Sequence, residues 1–225
     1  PFIVFEDADI DAAVEGALIS KYRNSGQTCV CTNRILVQES IHDAFVAKLV
    51  AATADLKMGN GLEDGVQQGP LVNAGAVQDV DQLVQLSVEA GAQVALGGAR
   101  SELGPCYYQP TVLTAVTPDM AVFRNEIFGP VAPVMSFTDE AEAISLANDT
   151  EFGLASYCYT RDIGRVWRVS EALDYGMVGV NEGIISNEMA PFGGVKASGS
   201  GREGSKYGID DYLEIKYILM GGLDR

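Results

Sequence analysis

The sequence is poor in the residues that form metal sites and disulfide frameworks. It has one histidine, His42, and four cysteines, of which Cys29 and Cys31 are close together and Cys106 and Cys158 lie far along the chain. Structural zinc sites usually present two well-spaced pairs of cysteine or histidine, so no metal is expected. Irregularly spaced cysteines in 225 residues do not form a disulfide scaffold either, and the expected compartment is the reducing cytoplasm.

Positive charge is equally scarce. The chain has 15 lysines and arginines against 31 acidic residues, which gives a formal net charge of −16. Nucleic acids and anionic membranes bind clustered basic surface, so neither is expected as a partner. The sequence also has no long apolar run of membrane-spanning length and no signal peptide. An anionic small ligand would therefore have to be bound by a local arginine or lysine.

What the sequence does contain is an alternation of short apolar segments with longer segments of helical period, in a composition that is 47% hydrophobic. This alternation predicts an α/β fold, in which a parallel or mixed sheet carries helices on its faces. The chain begins at Pro1 without a methionine and is expected to be the later part of a longer protein. Strands are predicted at 2–5, 35–37, 93–96, 108–113, 131–137, 154–159 and 177–181, and helices at 10–22, 40–56, 73–90, 139–148 and 162–173.

The last part of the chain differs in character. A loop over 181–198 leads into a short helix predicted around Arg202 to Tyr207, and the segment 212–220 is strongly strand-like. A terminal strand has no later sequence to pair with, so we predict that it joins a sheet edge of its own chain or of a partner, as an oligomerisation strand. The glycines at 199–204 have the letters of a dinucleotide-binding fingerprint, but without a preceding strand and a βαβ unit they are better explained as a turn into that helix.

The segment from Lys21 to Cys31 contains the strongest candidate for chemistry. Cys29 follows a Gly-Gln turn, with Arg23 six residues upstream. A cysteine attacks a carbonyl carbon as the thiolate, which nearby cations and free backbone N–H groups stabilise. A free cysteine is also often a small buried apolar residue, so the segment by itself leaves both interpretations open.

Two further segments extend this candidate. Glu126-Ile127-Phe128-Gly129-Pro130 and Pro191-Phe192-Gly193-Gly194-Val195-Lys196, followed by Ser198-Gly199, come after Gly26-Gln27-Thr28-Cys29. With these segments in this order and at these separations, nearly the whole chain resembles the aldehyde dehydrogenase superfamily. The segments 22–31, 183–188 and 201–209 are similar to the succinate-semialdehyde dehydrogenases of that superfamily.

The resemblance implies a three-layer fold with helices on both faces of the sheet. Residues 1–198 would form a catalytic domain, and residues 199–225 the helix and strand of an oligomerisation tail. The amino-terminal Rossmann-type domain, which binds NAD or NADP in this family, would be absent from the chain, together with a general-base glutamate and an asparagine that donates to the oxyanion. The expected assembly is a homo-oligomer, either a dimer or a tetramer.

The resemblance also implies roles for individual residues. Cys29 is the nucleophile that forms a thiohemiacetal and then a thioester. Glu126 is similar to the residue that hydrogen-bonds the ribose of the nicotinamide cofactor, and Phe128 to the residue that packs near the nicotinamide. Without the resemblance, these two would be a loop carboxylate and a core aromatic residue.

Substrate choice is expected to depend on Arg23 and Ser186. A carboxylate at the far end of an aldehyde is best matched by a bidentate arginine, so Arg23 is the candidate, with a helix C-terminal cation as the alternative. Ser186 resembles the substrate-contacting serine of the succinate-semialdehyde enzymes. The expected reaction is the oxidation of succinate semialdehyde to succinate. The alternatives are glutarate semialdehyde, which has one more methylene, a broader aldehyde substrate range, and an inactive fragment that only self-associates.

Cys31 is a candidate redox partner of Cys29. A thiol two residues from a nucleophilic cysteine could close a strained and easily reduced disulfide under oxidation. The alternative is that Cys31 is a buried residue with no role in the chemistry of Cys29.

Overall fold

A seven-stranded sheet forms the centre of the computed structural model, which describes residues 1–224. The strands are β1 (Phe2–Val4), β2 (Ile35–Gln38), β3 (Gln93–Leu96), β4 (Thr111–Thr114), β5 (Val131–Phe137), β6 (Phe152–Gly153), β7 (Ala155–Tyr159), β8 (Met177–Val180) and β9 (Val195–Lys196). The helices are α1 (Ile10–Tyr22), α2 (His42–Ala54), α3 (Ala74–Glu89), α4 (Ala121–Arg124), α5 (Glu140–Asn148) and α6 (Ile163–Ala172).

The strand order of the large sheet is β3-β4-β5-β2-β1-β7-β8. β3 is antiparallel to β4, and every other neighbouring pair is parallel. β6 and β9 form a separate antiparallel ribbon. The predicted α/β fold with a mixed sheet is confirmed. The sequence patterns do not predict α4, β6 and β9, because elements of two to four residues are too short to show a period.

Helices cover both faces of the large sheet, so the three-layer arrangement is confirmed. Successive side chains of a strand point to opposite faces. Phe2 and Val4 are therefore buried in the cluster that contains residues of α1 and α2, whereas Ile3 and Phe5 are buried in the cluster that contains residues of α3, α5 and α6. β1 lies in the middle of the core, which explains why its sequence is an unbroken apolar run.

Side-chain caps fix where most helices begin. The capping residues of α1, α3, α5 and α6 are Asp9, Asn73, Asp139 and Asp162. The helix predicted from residue 40 begins two residues later: Ser40 lies in a 3₁₀ turn over Glu39–Ile41, its hydroxyl donates to Glu6 Oε2 at 3.1 Å, and α2 begins at His42. No helix within residues 1–224 is both long enough and apolar enough to cross a membrane.

The tail beyond Ser198 departs from the prediction. Residues 202–208 form no helix: Glu203 pairs with Phe192 in an antiparallel bridge and residues 205–209 form turns, with left-handed backbone at Gly201, Gly204 and Ser205, a conformation that ends helices. Residues 213–220 are exposed and belong to no strand, because an extended segment needs a neighbouring strand edge for its hydrogen bonds. The predicted helix is wrong and the strand is not formed within the chain. Pairing of this segment with a second copy stays a prediction.

Asp7 ties the end of β1 to the start of α6. Its carboxylate accepts hydrogen bonds from the Thr160 hydroxyl at 2.8 Å, from the backbone N–H groups of Arg161 and Asp162 at 2.8 and 2.9 Å, and from Arg165 at 2.6 Å. Partial burial acts to raise the pKa of Asp7, but these hydrogen bonds and the Arg165 charge hold it below its ordinary value. The fold therefore stabilises the charged form.

Replacing Asp7 by asparagine should lower the free energy of unfolding by about 1–3 kcal/mol at pH 7, because an amide nitrogen cannot accept these bonds. The folded-state pKa lies below the unfolded one, so the stabilisation is complete above pH ~4 and is lost as the pH falls through the folded value. Urea unfolding should therefore show the difference between wild type and Asp7→Asn shrinking below pH ~4. Asp64→Asn, at an exposed loop carboxylate, is the control; equal losses in both variants would contradict the prediction.

Candidate active site

The loop between α1 and β2 carries Cys29, and it opens on a cleft of about 280 Å³. Residues that come just before β1, β2, β5 and β7 line the cleft. Because these strands are parallel, the cleft lies at the edge of the sheet where their amino ends meet. Cys29, Cys31, Glu126 and Phe128 all line it, as sequence reasoning grouped them. Within residues 1–224, no group of three or more His, Cys, Asp or Glu is placed to hold a metal ion.

Three consecutive left-handed residues precede Cys29 in the chain. The φ angle is 51° at Asn24, 55° at Ser25 and 78° at Gly26. For residues with a side chain this conformation costs about 1–2 kcal/mol each, so surrounding contacts must hold it. At Gly26 a Cβ would overlap the carbonyl of Gly129. The Gly26 and Glu126 segments of the sequence therefore meet through direct backbone contact.

Amide side chains hold the left-handed turn. Asn24 Nδ2 donates to the Gln27 carbonyl, and Gln27 Nε2 donates to the Asn24 carbonyl, both at 3.0 Å. Gln27 Oε1 accepts from the backbone N–H of Val72 at 2.8 Å, and the Ser25 hydroxyl donates to the carbonyl of Gly69 at 3.0 Å. Through this contact Gln27 links two loops that are 45 residues apart in the chain. The Gly-Gln pattern in the sequence does not predict this link.

Both cysteines of the loop are free thiols, and Cys29 is exposed, so the interpretation of Cys29 as a buried apolar residue is wrong. Cys31 is half-buried, and its sulfur lies 3.7 Å from the carbonyl oxygen of Arg23. The Tyr157 hydroxyl anchors the loop by donating to the carbonyl of Val30 at 2.7 Å. Burial raises the pKa of Tyr157. Cys31 and Cys29 act in the same direction, whereas the positive charge of Arg23 acts to lower it. The loop is therefore fixed from the core side while Cys29 faces outward.

Asn33 fixes the Glu126 loop against the cysteine loop. Its Nδ2 donates to the carbonyl of Asn125 at 2.8 Å, and its Oδ1 accepts from the backbone N–H of Ile127 at 2.9 Å. Glu126, between these two contacts, is exposed, and its carboxylate has no hydrogen bond or ion pair within residues 1–224. Phe128 has a φ of 49° and is 45% exposed, so it is not a core aromatic residue. Both side chains can meet a ligand in the cleft.

Three cations that the motif does not single out also line the cleft: Lys21, Arg34 and Arg124. Arg34 is buried and donates to the carbonyls of Leu146 and Ala147 at the end of α5, each at 2.9 Å. Arg124 pairs with the Asp149 carboxylate at 2.9 Å. The guanidinium groups of both arginines are therefore already paired with other groups of the protein.

Lys21 is different, because its ammonium group has no hydrogen bond or ion pair in the part of the chain that the structure describes. It lies in the last turn of α1 and is 1% exposed. Burial lowers the pKa of Lys21 to about 8, and the negative charges of Cys31 and Glu126 oppose this shift. One signal in the sequence could have found it: Lys21 follows Ala13 and Ala17 at steps of four, on the apolar side of α1.

Arg23 and Ser186 do not line the cleft with the other candidates. Arg23 ends α1, and its exposed guanidinium donates to no carbonyl within residues 1–224, so the contacts of a helix C-terminal cation are not formed. Ser186 is exposed and follows Gly183, which lies against the backbone of Gly16 in α1. Arg23 and Ser186 are therefore not among the residues that share the wall of the cleft with Glu126 and Phe128.

Comparison with known proteins gives consistent matches. The profile of the aldehyde dehydrogenase family matches residues 1–218. The chain is 62% identical over 223 residues to a glutarate-semialdehyde dehydrogenase of Pseudomonas aeruginosa and 58% identical over 221 residues to an NADP(+) succinate-semialdehyde dehydrogenase of Escherichia coli, covering 99% and 98% of the chain. A crystal structure of succinate-semialdehyde dehydrogenase from Burkholderia pseudomallei superposes with a TM-score of 0.96 at 62% identity, covering 97% of this chain and 45% of that one. The chain spans 46% of each of the two curated relatives, about half their length.

Gly26→Ala should lower the free energy of unfolding by roughly 2 kcal/mol or more, because the new Cβ would need both a left-handed φ and a displaced Gly129 carbonyl. The control is Gly61→Ala, whose Cβ would meet no atom within 4 Å, and it should stay within about 0.5 kcal/mol of wild type. Urea unfolding of the two variants provides the measurement. Equal stabilities would show that the backbone contact between the loops is not tight.

Proposed function

The chain belongs to the aldehyde dehydrogenase family, and from this premise we propose that it is the catalytic portion of an enzyme that oxidises succinate semialdehyde to succinate with NAD or NADP. The observation that carries the proposal is the cleft, in which the exposed Cys29 lies with Glu126 and Phe128. In this proposal residues 1–198 are the catalytic domain and residues 199–225 are the association tail. The cofactor domain, the general-base glutamate and the asparagine donor are assigned to sequence outside these 225 residues.

Cys29 is the nucleophile. Its thiolate adds to the aldehyde carbon and forms a thiohemiacetal, whose negative charge lies on the former carbonyl oxygen. The backbone N–H of Cys29 can donate to this oxygen, because it has no acceptor within residues 1–224. A donor of this kind typically contributes about 10²–10³ in rate. A bound nicotinamide supplies the hydride acceptor. Loss of hydride from the thiohemiacetal carbon leaves a thioester on Cys29, and water cleaves it to the carboxylic acid and the free thiol.

Glu126 and Phe128 fit the nicotinamide end of the cofactor. A ribose hydroxyl donates to a carboxylate, and the oxygens of Glu126 have no partner among the described residues. The half-exposed ring of Phe128 offers an apolar face to the nicotinamide. Neither contact distinguishes NAD from NADP, because that choice is made at the 2′ position of the other ribose. The name of the Escherichia coli relative makes NADP the first cofactor to test.

Arg23 and Ser186 are proposed to bind the far carboxylate of the substrate. A guanidinium matches a carboxylate in both charge and bidentate geometry, and that of Arg23 is exposed close to the cysteine loop. Since neither residue lines the cleft with Glu126 and Phe128, aldehyde and cofactor would approach Cys29 from different sides. Glutarate semialdehyde is the second candidate substrate, because a relative at 62% identity bears that name and one methylene changes discrimination by only about 1–3 kcal/mol.

The tail is proposed to pair with a second copy of the chain. Ile215, Tyr217 and Leu219 alternate along it and are 99%, 83% and 81% exposed, so one apolar side of the segment has no cover. An extended apolar segment of this kind pairs readily with a sheet edge. We assign the enzyme to a homodimer or homotetramer in the cytoplasm. If the chain acted alone and only self-associated through this tail, it would bind nicotinamide cofactor weakly or not at all.

The activity is tested with the full-length enzyme on succinate semialdehyde and butanal, with NAD and with NADP. A charged clamp predicts a kcat/KM at least ~100-fold higher for the semialdehyde. Arg23→Leu should raise KM for the semialdehyde about tenfold or more and leave KM for butanal nearly unchanged, and Cys29→Ala should abolish both reactions. Equal effects of Arg23→Leu on the two aldehydes would exclude Arg23 as the clamp. Equal rates of wild type on both would exclude succinate semialdehyde as the preferred substrate and leave aldehyde oxidation standing.

Cys31 is proposed to protect Cys29 under oxidation. Hydrogen peroxide would oxidise the two thiols to one disulfide, with release of two waters, and thiol reductants would restore activity. Cys31→Ala should therefore lose activity irreversibly at peroxide concentrations from which wild type recovers after dithiothreitol. Full recovery of Cys31→Ala would exclude this role, and Cys106→Ala is the matched control for loss of a thiol elsewhere.

A further inference from the structure

The loop that carries Ser186 follows β8 and is held mainly by packing. Asn181 fixes the start of this loop: its Oδ1 accepts from the backbone N–H of Thr160, and its Nδ2 donates to the Thr160 carbonyl, both at 3.0 Å. From residue 182 to residue 186, no backbone group forms a hydrogen bond within residues 1–224. The position of Ser186 therefore depends on what its neighbours in the loop contact.

Gly183 lies directly against α1. A Cβ at this position would lie 2.5 Å from the carbonyl oxygen of Gly16 and 2.8 Å from its Cα. The φ angle of Gly183 is not left-handed, so the lack of space is what requires glycine here. Gly16 lies within α1, where the hydrogen bonds of the helix hold its backbone. An added methyl group at residue 183 would therefore displace the loop rather than the helix.

Ile185, the residue before Ser186, packs into the core. It is partly buried against the apolar cluster that contains Tyr157. A Cβ at Gly179 in β8 would lie 2.6 Å from Ile185 Cγ2 and 3.1 Å from Tyr157 Cδ1, so glycine at this position gives the isoleucine its space. The hydroxyl of Tyr157 anchors the cysteine loop at the carbonyl of Val30. Ser186 is thereby placed with respect to the residue that also anchors the cysteine loop.

We propose that Gly183 and Ile185 are positioning residues for the substrate: their contacts with α1 and β8 hold Ser186 where it binds the far carboxylate. Arg23 ends the same helix, about 10 Å along its axis from Gly16, so α1 supports both groups that are proposed to bind this carboxylate. A shift of about 1 Å in a group that positions a substrate can cost on the order of 10²-fold. This inference rests on the proposed substrate role of Ser186.

The test compares Gly183→Ala, Ile185→Ala, Ser186→Ala and the double variant Gly183→Ala/Ser186→Ala in the full-length enzyme. Gly183→Ala should raise KM for succinate semialdehyde about tenfold and leave kcat, KM for butanal and KM for the cofactor within about twofold of wild type. Ile185→Ala, which loosens the loop without adding bulk, should raise the same KM about threefold or more. The double variant should be no worse than Ser186→Ala alone, because Gly183 acts through Ser186.

Two controls separate positioning from a general loss of stability. Gly61→Ala adds a methyl group that meets no atom within 4 Å and should match wild type. Val169→Ala truncates a fully buried side chain of α6 and should lower the melting temperature. It should leave the ratio of the KM values for succinate semialdehyde and butanal unchanged, whereas Gly183→Ala should raise that ratio about tenfold.

The results tell a failure of positioning from a failure of the substrate role of Ser186. If Ser186→Ala raises KM for the semialdehyde while Gly183→Ala and Ile185→Ala do not, or if the effect of Gly183→Ala persists in full in the double variant, positioning is overturned and the role of Ser186 stands. If Ser186→Ala leaves this KM unchanged, both roles fail. An equal change of the KM ratio in Val169→Ala would also overturn positioning. If Gly183→Ala does not fold, Ile185→Ala and its double variant with Ser186→Ala decide by the same criteria.

Discussion

The backbone contact between Gly26 and Gly129 is the constraint on which the candidate site depends. One of these loops precedes β2 and the other precedes β5, and because β2 and β5 are parallel neighbours, both loops reach the same edge of the sheet. The absence of a Cβ at Gly26 then lets the two backbones touch. The amide pair of Asn24 and Gln27 holds the turn before Cys29, and Asn33 holds the Glu126 loop. Remote segments thereby form one wall.

Much of the fold could be predicted from local pattern, because β5 and α3 are long enough to show their periods. The tail could not. The strand-like composition of 212–220 describes what the side chains favour, whereas a strand forms only where another backbone supplies hydrogen bonds, and local sequence contains no information about that partner. The left-handed residues near Gly204 likewise prevent the predicted helix. Glycine is the one residue type among them that indicates a left-handed conformation from the sequence alone.

Residues of the candidate site that belong to a short sequence motif could be predicted, whereas residues that reach the site through contacts with distant segments could not. Cys29, Glu126 and Phe128 could be named from short segments, and the structure brings all three into one cleft. Gln27 and Asn33 could not, because the groups that they contact outside the cysteine loop are at least 43 and at least 89 residues away in the chain. Arg23 and Ser186 were named from the motifs as well, yet they lie outside the cleft, which divides the candidate residues into two groups.

The cleft faces the ends of helices rather than their beginnings. α1 ends directly before the cysteine loop, and Arg34 joins the cleft to the last carbonyls of α5. A helix end carries a partial negative charge of about half an electron, and its field disfavours a thiolate or an oxyanion nearby. Arg34 caps one such end and Lys21 is embedded in the other. The positive charges of these two side chains therefore oppose the negative partial charges of the helix ends, at the edge of the sheet where the cleft lies.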